Sequence, residues 1–206
     1  MIESVFSSLI AMDYLEALGL VFGLLCVWLL IRQSIWTWPA GIAYVLISLQ
    51  VFYVARLYAD LALHLFYLAV NIYGWYYWLY GVPPGEEQLP VTQSSTRSLI
   101  AVLVGSGVCI VIAGTLFAMY TDADLVYWDN TTTILSLIAM WLQTRKKLES
   151  WLFWLIVDLL ATGIYVYKGL YFYSILYLVY VGMAVAGFVA WRRSMLDHEI
   201  RNAQPA

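Results

Sequence analysis

The sequence predicts an all-α polytopic membrane protein with seven transmembrane helices, and three observations support this fold class. First, the 206 residues are 64% hydrophobic and only 11% charged, with a mean hydropathy of +0.81. A soluble domain has roughly 25% charged residues and roughly 45–50% apolar ones. Second, seven stretches approach the length of about 20 apolar residues that crosses the hydrocarbon core. Third, the first three and the last three stretches match each other at a fixed offset in the sequence.

The seven predicted helices form a single membrane domain that covers residues 1–206. Their approximate bounds are 13–31, 35–55, 60–80, 98–120, 124–144, 149–168 and 170–191. The longest break runs from Gly81 to Ser98 and contains Pro83-Pro84-Gly85, which is typical of a loop. Cys26 and Cys109 lie among apolar residues, so we expect no disulfide or metal framework.

Lysine and arginine residues are distributed unequally between the two sides of the predicted domain. Eight of them fall on the side that holds the C-terminus, and only Arg56 and Lys168 fall on the other side. Positively charged residues accumulate on the cytoplasmic side of membrane proteins. The sequence therefore predicts an outside N-terminus and a cytoplasmic C-terminus.

The sequence repeats without a gap at one constant offset, the one that aligns Tyr14 with Tyr127. The other identical pairs in this alignment include Trp28/Trp141, Arg32/Arg145, Trp38/Trp151, Tyr67/Tyr180, Gly74/Gly187 and Trp78/Trp191. The repeat divides the chain into a three-helix unit (13–80), a linker helix (98–120) and a second three-helix unit (124–191). The offset spans four crossings, an even number, so both units enter the membrane in the same direction. Such parallel repeats are typical of transporters, with the substrate site between the halves.

A carboxylate beside a tryptophan opens the fifth predicted helix, in the run Tyr127-Trp128-Asp129-Asn130-Thr131-Thr132. Charges in membrane segments are costly and usually face the bundle interior, where they contact a partner or a substrate. The repeat pairs Asp129 with Glu16, so both halves carry an acid at the equivalent place. The alternative for each acid is a position at a helix end that faces water.

Three predicted helices each carry a row of aromatic and polar side chains, because positions three and four apart share a helix face. The rows contain His64, Tyr67, Asn71, Trp75 and Trp78 on the third helix, Trp128, Asp129, Thr132 and Ser136 on the fifth, and Trp151, Trp154, Asp158, Thr162 and Tyr165 on the sixth. Aromatic rings attract a cation by roughly 0.5–2 kcal/mol, and a carboxylate adds counter-charge. The rows therefore predict a binding site for an aromatic, cationic solute.

The expected substrate-binding residues are Trp128, Asp129, Thr132, Ser136, Asn71, Tyr67, Trp75, Asp158 and Glu16. For Asp158, an internal hydrogen bond to a neighbouring helix is the alternative. For His64, a structural role is the preferred interpretation. Most of the 17 tyrosines are expected at membrane interfaces and in packing.

Rival classes of protein find less support in the sequence. An enzyme is not expected, because no nucleophile–base pair or metal-ligand spacing is present, and His64 and His198 lie far apart. We expect no catalytic residue, cofactor, metal or nucleic-acid partner. A retinal receptor requires a lysine deep in its last helix, whereas Lys146, Lys147 and Lys168 lie at helix ends. The substrate-binding subunit of an ATP-driven importer remains an alternative, although the repeat favours a self-contained carrier.

Three motifs together resemble the Pnu-type vitamin transporters over residues 13–193. They are Gly74-Trp75-x-x-Trp78, Ala139-x-Trp141-Leu142-x-x-Arg145-Lys146-Lys147-x-Glu149-x-Trp151 and Lys168-Gly169-Leu170-Tyr171. This family includes bacterial nicotinamide riboside carriers (PnuC) and thiamine-specific relatives (PnuT). The resemblance implies a 3-1-3 arrangement of helices related to the SWEET sugar carriers, a homotrimer in the lipid bilayer of the bacterial inner membrane, and facilitated diffusion of a vitamin into the cytoplasm, where phosphorylation traps it.

The start of the fifth helix distinguishes two substrates within this family. The riboside carriers have W-N-x-x-N there, whereas this chain has Trp128-Asp129-x-x-Thr132, which is similar to the W-D-x-x-T form of the thiamine carriers. Asparagine donates and accepts hydrogen bonds, but an ionised aspartate only accepts. An acceptor suits the exocyclic amine of an aminopyrimidine. The motif therefore predicts thiamine as the substrate, with nicotinamide riboside as the alternative.

Overall fold

The protein is all-helical in the computed structural model, which describes residues 14–54, 56, 58–120 and 125–203. Seven helices lie within these ranges: α1 (Tyr14–Ile31), α2 (Thr37–Val54), α3 (Tyr58–Tyr80), α4 (Thr96–Tyr120), α5 (Val126–Thr144), α6 (Ser150–Tyr167) and α7 (Tyr171–Ala203). Each corresponds to one predicted segment. The last predicted segment ends near residue 191, whereas α7 continues as far as Ala203.

Four of the described helices, α2, α4, α6 and α7, are long and apolar enough to cross a membrane by length and composition. The apolar part of α1 is shorter and covers Ala17–Ile31. Helices α3 and α5 carry the polar rows that the sequence singles out, which lowers their mean hydropathy. These polar residues are tolerated in a membrane protein because they face the interior of the bundle.

Six helices form a closed ring, with α4 outside it. Neighbours in the ring pack in the order α1, α2, α3, α5, α6 and α7, and α7 returns to α1. Helix α4 packs on α5, and its buried residues are Ser106 and Gly114. The Tyr127 ring occupies the space that a Cβ atom on Gly114 would need. Helix α4 therefore links the two three-helix halves without contributing to the interior of the ring.

Each half contains a tryptophan ring packed directly on a glycine. The Trp38 ring lies against Gly74, and the Trp151 ring lies against Gly187, so that a Cβ atom on either glycine would overlap the ring. Small residues let helix backbones approach closely in membranes. A close contact of α2 with α3 and one of α6 with α7 therefore use the same residue pair, at equivalent positions of the repeat.

A cluster of four tryptophans joins the two halves. Trp78 packs edge-on against Trp38 with ring centroids 5.3 Å apart, and Trp191 packs edge-on against Trp151 at 5.4 Å. The Trp78 and Trp191 rings meet each other at 6.1 Å. Each also reaches into the other half, because Trp78 Nε1 donates to the Thr144 carbonyl at 3.2 Å and Trp191 Nε1 donates to the Leu30 carbonyl at 3.0 Å. This cluster closes one end of the ring.

The turns of the two halves share an unusual backbone conformation. Gln33 and Lys146, each in the turn after the first helix of its half, have φ angles of 54° and 53°. Arg56 and Gly169, each in the following turn, have φ angles of 58° and 71°. Both pairs occupy equivalent positions of the sequence repeat. The left-handed backbone conformation is energetically unfavourable for residues other than glycine. Its recurrence at equivalent positions therefore indicates that the corresponding turns of the two halves have the same backbone path.

The loop between α3 and α4 lies over the α5–α6 turn. The Thr92 backbone pairs with this turn, because its N–H donates to the Lys146 carbonyl at 3.2 Å and its carbonyl accepts from Leu148 at 3.0 Å. The Lys146 ammonium is buried and donates to the Leu89 carbonyl at 2.7 Å. Desolvation lowers the pKa of Lys146 to about 8. The predicted Gly81–Ser98 loop is therefore an ordered cover, and α4 begins at Thr96.

The C-terminal extension of α7 is fixed to the same loop. His198 Nε2 lies 2.7 Å from Glu86 Oε1. The residues after Trp191 are mostly polar, so the apolar part of α7 ends there. The helix continues to Ala203 and has 33 residues in all, about 50 Å at 1.5 Å per residue. The extension therefore leaves the membrane domain on the side of the α3–α4 loop.

Candidate binding cavity

The ring of six helices encloses a cavity of about 580 Å³. Its polar and aromatic lining residues are Tyr44, Asp60, His64, Tyr67, Asn71, Asp129, Thr132, Thr133, Ser136, Gln143, Trp151, Trp154, Asp158, Tyr165, Lys168, Tyr177 and Tyr180. Helices α1, α2, α3, α5, α6 and α7 all contribute to the lining, whereas α4 does not. A cavity of this size, with rings and a few polar groups, is typical of small-molecule sites.

Six of the predicted site residues line this cavity: Tyr67, Asn71, Asp129, Thr132, Ser136 and Asp158. Two others, Trp128 and Trp75, do not, and both are exposed on the outer surface of the bundle. The Glu16 side chain lies outside the described residues. Grouping residues three and four positions apart therefore predicted polar residues that do line the cavity, but it also included two tryptophans that do not.

Helix geometry explains why Trp128 and Trp75 point elsewhere. Each residue advances about 100° around the axis, because a turn has 3.6 residues. The cavity face of α5 is centred near Ser136 and Asp129, so Trp128 lies about a quarter turn away. On α3, the step of four residues from Asn71 to Trp75 adds about 40° of drift. Trp75 also lies beyond the cavity, at the level of the tryptophan cluster.

Asp158 is the most deeply buried acid among the cavity residues. It is 6% exposed and lies on the face of α6 that points into the ring. Among the described residues, no side chain donates a hydrogen bond to its carboxylate, and no lysine or arginine forms an ion pair with it. The alternative of an internal hydrogen bond to a neighbouring helix is therefore not observed. An unpaired buried carboxylate is costly, which favours a role in contacting a ligand.

Asp129 lies at the mouth of the cavity and has a partner. Its Oδ2 atom is 3.9 Å from Lys168 Nζ, with the two side chains 49% and 38% exposed, respectively. The capping residue of α5 is Leu125 rather than Asp129, and no side chain caps this helix end. Asp129 lies in the first turn, where the helix dipole favours a negative charge. It is therefore a partly solvated, paired acid and not a buried counter-charge.

The polar residues of α3 connect the two halves of the cavity. The Tyr67 hydroxyl lies 2.9 Å from Ser136 Oγ on α5, and Asn71 Nδ2 donates to the Tyr67 carbonyl at 2.9 Å. Ser136 also donates to the Thr133 carbonyl on its own helix at 2.8 Å. The Asn71 Oδ1 atom lies against Gly41, where a Cβ atom would displace it. Gly41 therefore makes room for the Asn71 side chain.

His64 has the structural environment that the sequence favoured. Its Nδ1 atom lies 2.9 Å from the Asp60 carbonyl on the same helix. Its ring packs against Phe52, Tyr67 and Tyr44, with centroids 4.7, 5.4 and 6.3 Å away. The packed ring still contributes one edge to the cavity wall.

Several lining residues were not predicted from the sequence. Tyr44, Tyr177 and Tyr180 were among the tyrosines expected in interfaces and packing, but all three line the cavity. The repeat carried a usable signal, since it pairs Tyr180 with Tyr67. Gln143 was also missed, and its Oε1 atom accepts a hydrogen bond from Trp154 Nε1 at 2.8 Å.

Comparison with known proteins finds transporters throughout. Residues 13–193 match the nicotinamide mononucleotide transporter family. The nicotinamide riboside transporter PnuC of Escherichia coli is 30% identical over 214 residues, which covers 92% of this chain and 90% of that protein. The riboflavin/roseoflavin transporter RibM of Streptomyces davaonensis is 26% identical over 178 residues, covering 85% and 83%.

A solved structure shares the fold. The crystal structure of the vitamin B3 transporter PnuC superposes with a TM-score of 0.75, covers 95% of this chain and 88% of the other, and has 20% identical residues. At 20% identity, this similarity shows a shared arrangement of the helices and nothing about the residues of the cavity wall.

Proposed function

Because the chain belongs to the nicotinamide mononucleotide transporter family, we propose that it carries a cationic, aromatic vitamin through the cavity between α1–α3 and α5–α7. The relatives are membrane transporters and not enzymes. The single observation that carries the proposal is the Asp158 carboxylate, which is buried in the cavity wall without a cationic partner among the described residues. A positively charged ring placed beside it would neutralise it.

Nicotinamide riboside is the substrate with the better support. The Escherichia coli relative is named for it, and the structural match is a vitamin B3 transporter. Its pyridinium ring is a flat cation, and the cavity lining includes the rings of Tyr177, Tyr180 and Trp154 together with the Asp158 carboxylate. Asn71 also lines the cavity, and its amide group suits a carboxamide or a ribose hydroxyl.

Thiamine is the second candidate, and the sequence prediction in its favour rests on Asp129 and Thr132. Thiamine is also a cationic heterocycle, so Asp158 does not distinguish the two vitamins. The structure weakens the motif argument, because Asp129 contacts Lys168 and the Thr132 hydroxyl donates to the Asp129 carbonyl at 2.9 Å. Riboflavin, which names the RibM relative, is an uncharged flavin and gives Asp158 no counter-charge.

We further propose that the two halves form a SWEET-like 3-1-3 parallel repeat and that alternating access moves one half against the other. The support is the recurrence of the tryptophan–glycine contacts and of the left-handed turns at equivalent positions of the sequence repeat. Transport would be facilitated diffusion, with phosphorylation of the vitamin inside the cell as the trap. A homotrimer with outside N-termini and cytoplasmic C-termini in an inner membrane completes this proposal.

The test is a binding titration of the purified protein with nicotinamide riboside, thiamine and riboflavin in parallel. We expect nicotinamide riboside to bind most tightly, thiamine more weakly and riboflavin not at all. Tighter binding of thiamine would move the assignment to the second candidate. Tight binding of riboflavin in preference to both cations would overturn the role of Asp158.

Counterflow in proteoliposomes tests the transport mechanism separately from the substrate. Vesicles loaded with unlabelled vitamin should accumulate labelled vitamin without any ion gradient, because the proposed carrier is uncoupled. Exchange that appears only with an imposed proton or sodium gradient would show a coupled carrier.

A further inference from the structure

A second pocket, of about 500 Å³, lies outside the ring between the ends of α3 and α5 and the α3–α4 loop. Its walls include Tyr77, Pro90, Thr92, Trp141, Arg145 and Lys147. None of its lining residues also lines the central cavity. The pocket is therefore a separate site, and the proposed transport pathway leaves it unexplained.

Arg145 is held in this pocket by aromatic rings and has no counter-ion among the described residues. Its guanidinium lies 4.5 Å from the Tyr77 centroid, 4.9 Å from that of Trp141 and 5.5 Å from that of Tyr73. The Nε atom is buried and has no hydrogen-bond partner in the described part of the chain. The rings fix the direction of the guanidinium, and no described residue accepts a hydrogen bond from it.

Lys147 adds a second positive charge to the same pocket. Its Nζ atom donates to Thr92 Oγ1 at 2.9 Å and to the Gln93 carbonyl at 3.2 Å, and both acceptors are neutral. These bonds orient the ammonium group without neutralising its charge.

Two acids of the adjoining loop and turn, Glu86 and Glu149, have other partners. Glu86 contacts His198 at 2.7 Å, and Glu149 accepts from the Ser94 N–H at 2.9 Å. The described lining thus contains two cations and no carboxylate.

The equivalent position in the first half shows that this arrangement is specific to the second half. Arg32, which the repeat aligns with Arg145, lies over one described ring, that of Trp28, at 4.5 Å. Arg32 does not line either of the two pockets described here.

The location of the pocket indicates which anion it fits. It lies at the end of the bundle where lysine and arginine accumulate, and its Trp141 ring is exposed on the outer surface. Tryptophans and tyrosines are enriched at the level of the lipid headgroups. Arginine binds phosphate oxygens in a bidentate fork, and basic pockets between membrane helices bind anionic headgroups. We propose that the Arg145–Lys147 pocket binds the phosphate group of an anionic phospholipid.

Native mass spectrometry of the full-length protein can test this with defined lipids. We expect one phosphatidylglycerol per chain to bind at least tenfold more tightly than phosphatidylcholine. The double variant Arg145→Gln, Lys147→Gln should lose that preference, and the matched control Arg32→Gln should keep it. The same preference in wild type and double variant would overturn the proposal, as would an equal loss in Arg32→Gln.

Two further measurements keep the result interpretable. Arg145→Lys retains a charge over the rings but lacks the fork, so it should show an intermediate preference at an unchanged melting temperature. Inorganic phosphate is titrated in parallel, because a soluble phosphate compound has the same chemistry. If inorganic phosphate displaces the lipid at low millimolar concentration, the site belongs to a soluble ligand and the lipid assignment is wrong. Binding of nicotinamide riboside serves as the check that each variant is folded.

Discussion

Helices α1–α3 and α5–α7 share their main packing residues, whereas most of their cavity-facing residues differ, with Tyr67 and Tyr180 as an identical pair. The packing residues recur at equivalent positions of the repeat as Trp38/Trp151, Gly74/Gly187 and Trp78/Trp191. Key cavity residues do not recur. The position equivalent to Asp158 is Val45, and the position equivalent to Asn71 is Ala184. The frame is therefore nearly symmetric, whereas the chemistry of the cavity is not.

This difference suggests how one frame serves several vitamins in the same family. A symmetric pair of halves supplies two similar bodies that can move against each other. In the proposed mechanism, an asymmetric lining with Asp158 and Asn71 would hold the substrate in one orientation. Changes in the lining would then alter selectivity without disturbing the packing of the two halves.

The largest expected effects, on folding, come from adding a side chain to the glycines that contact tryptophan rings. Gly74→Ala and Gly187→Ala each place a methyl group into a tryptophan ring. Overpacking a tight core typically costs about 1–3 kcal/mol and sometimes more, and both neighbours here are rigid. We expect both variants to lose most of the monodisperse protein seen by size-exclusion chromatography.

Gly182→Ala is the matched control for these variants, because nothing lies within 4 Å of its added methyl group. It should behave as wild type. If Gly74→Ala is tolerated while Gly187→Ala is not, the two halves are packed less equally than their geometry indicates.

The next effect concerns the asymmetric lining. Asp158→Asn removes the buried charge and nearly preserves the side-chain volume. Losing a charged interaction in a desolvated site typically costs about 1.5–3 kcal/mol, which is roughly tenfold to hundredfold in affinity. Isothermal titration with nicotinamide riboside measures this loss. An unchanged affinity in a folded Asp158→Asn protein would mean that the positive charge of the vitamin lies elsewhere.

Tyr67 and Tyr180 occupy equivalent positions but have different environments. The Tyr67 hydroxyl is bonded to Ser136, whereas the Tyr180 hydroxyl makes no hydrogen bond within the described chain and faces Gly23, the equivalent of Ser136. Tyr67→Phe should therefore lower stability by about 0.5–1.5 kcal/mol. Tyr180→Phe should lower vitamin affinity with little change in stability. The melting temperature and a vitamin titration of each variant measure these effects. A loss of stability in Tyr180→Phe together with a loss of affinity alone in Tyr67→Phe would contradict this assignment.

A smaller effect, on the pH dependence of stability, is expected at Lys146 but not at Gln33, the equivalent left-handed residue of the first half. Burial lowers the pKa of Lys146 from 10.5 to about 8. Between these values the unfolded chain binds more protons than the folded chain, so stability rises with pH through this window. The rise between pH 7 and 9 amounts to about 1 kcal/mol.

Lys146→Gln copies the residue of the first half and should abolish this rise, which unfolding in detergent at pH 7, 8 and 9 measures. The comparison is between the slopes of the two proteins, since other groups titrate in both. Equal slopes would show that Lys146 is not the group responsible.

The sequence predicted the helices well because membrane thickness imposes a length on apolar segments. Apolar length does not predict where a helix ends outside the membrane, as at the polar extension of α7, which contacts the α3–α4 loop through His198 and Glu86. Cavity residues followed from helix periodicity for Asp129, Thr132 and Ser136. Periodicity groups residues into a row but does not say which side of the row faces the cavity, and the α5 face centred near Asp129 and Ser136 leaves Trp128 exposed.

Contacts between side chains on different helices also could not be predicted from the sequence. Lys168 was expected only as a charge at a helix end, but the α6–α7 turn brings it to Asp129. Tyr180 could have been found from the repeat, because its partner Tyr67 was already assigned to the site. The repeat is thus a better guide to the lining than residue type alone.

The smallest effect is expected at Asp129, which the sequence alone singled out as the residue that favours thiamine over nicotinamide riboside. The structure reduces that expectation, because exposed ion pairs contribute about 0–1 kcal/mol, or at most about fivefold in affinity. Lys168→Met sharpens the comparison, since it frees the Asp129 carboxylate. If Asp129 contacts the vitamin, this change should strengthen the binding of either cation.

Selectivity is measured as the ratio of nicotinamide riboside to thiamine affinity in wild type and in the double variant Asp129→Asn, Thr132→Asn. A pair of amides at the mouth can donate as well as accept, so the ratio should shift towards nicotinamide riboside while both affinities change less than in Asp158→Asn. A tenfold or larger loss of both vitamins in Asp129→Asn alone would return the counter-charge to the mouth of the cavity. It would also place the counter-charge at a position where both halves carry an acid, since the repeat pairs Asp129 with Glu16.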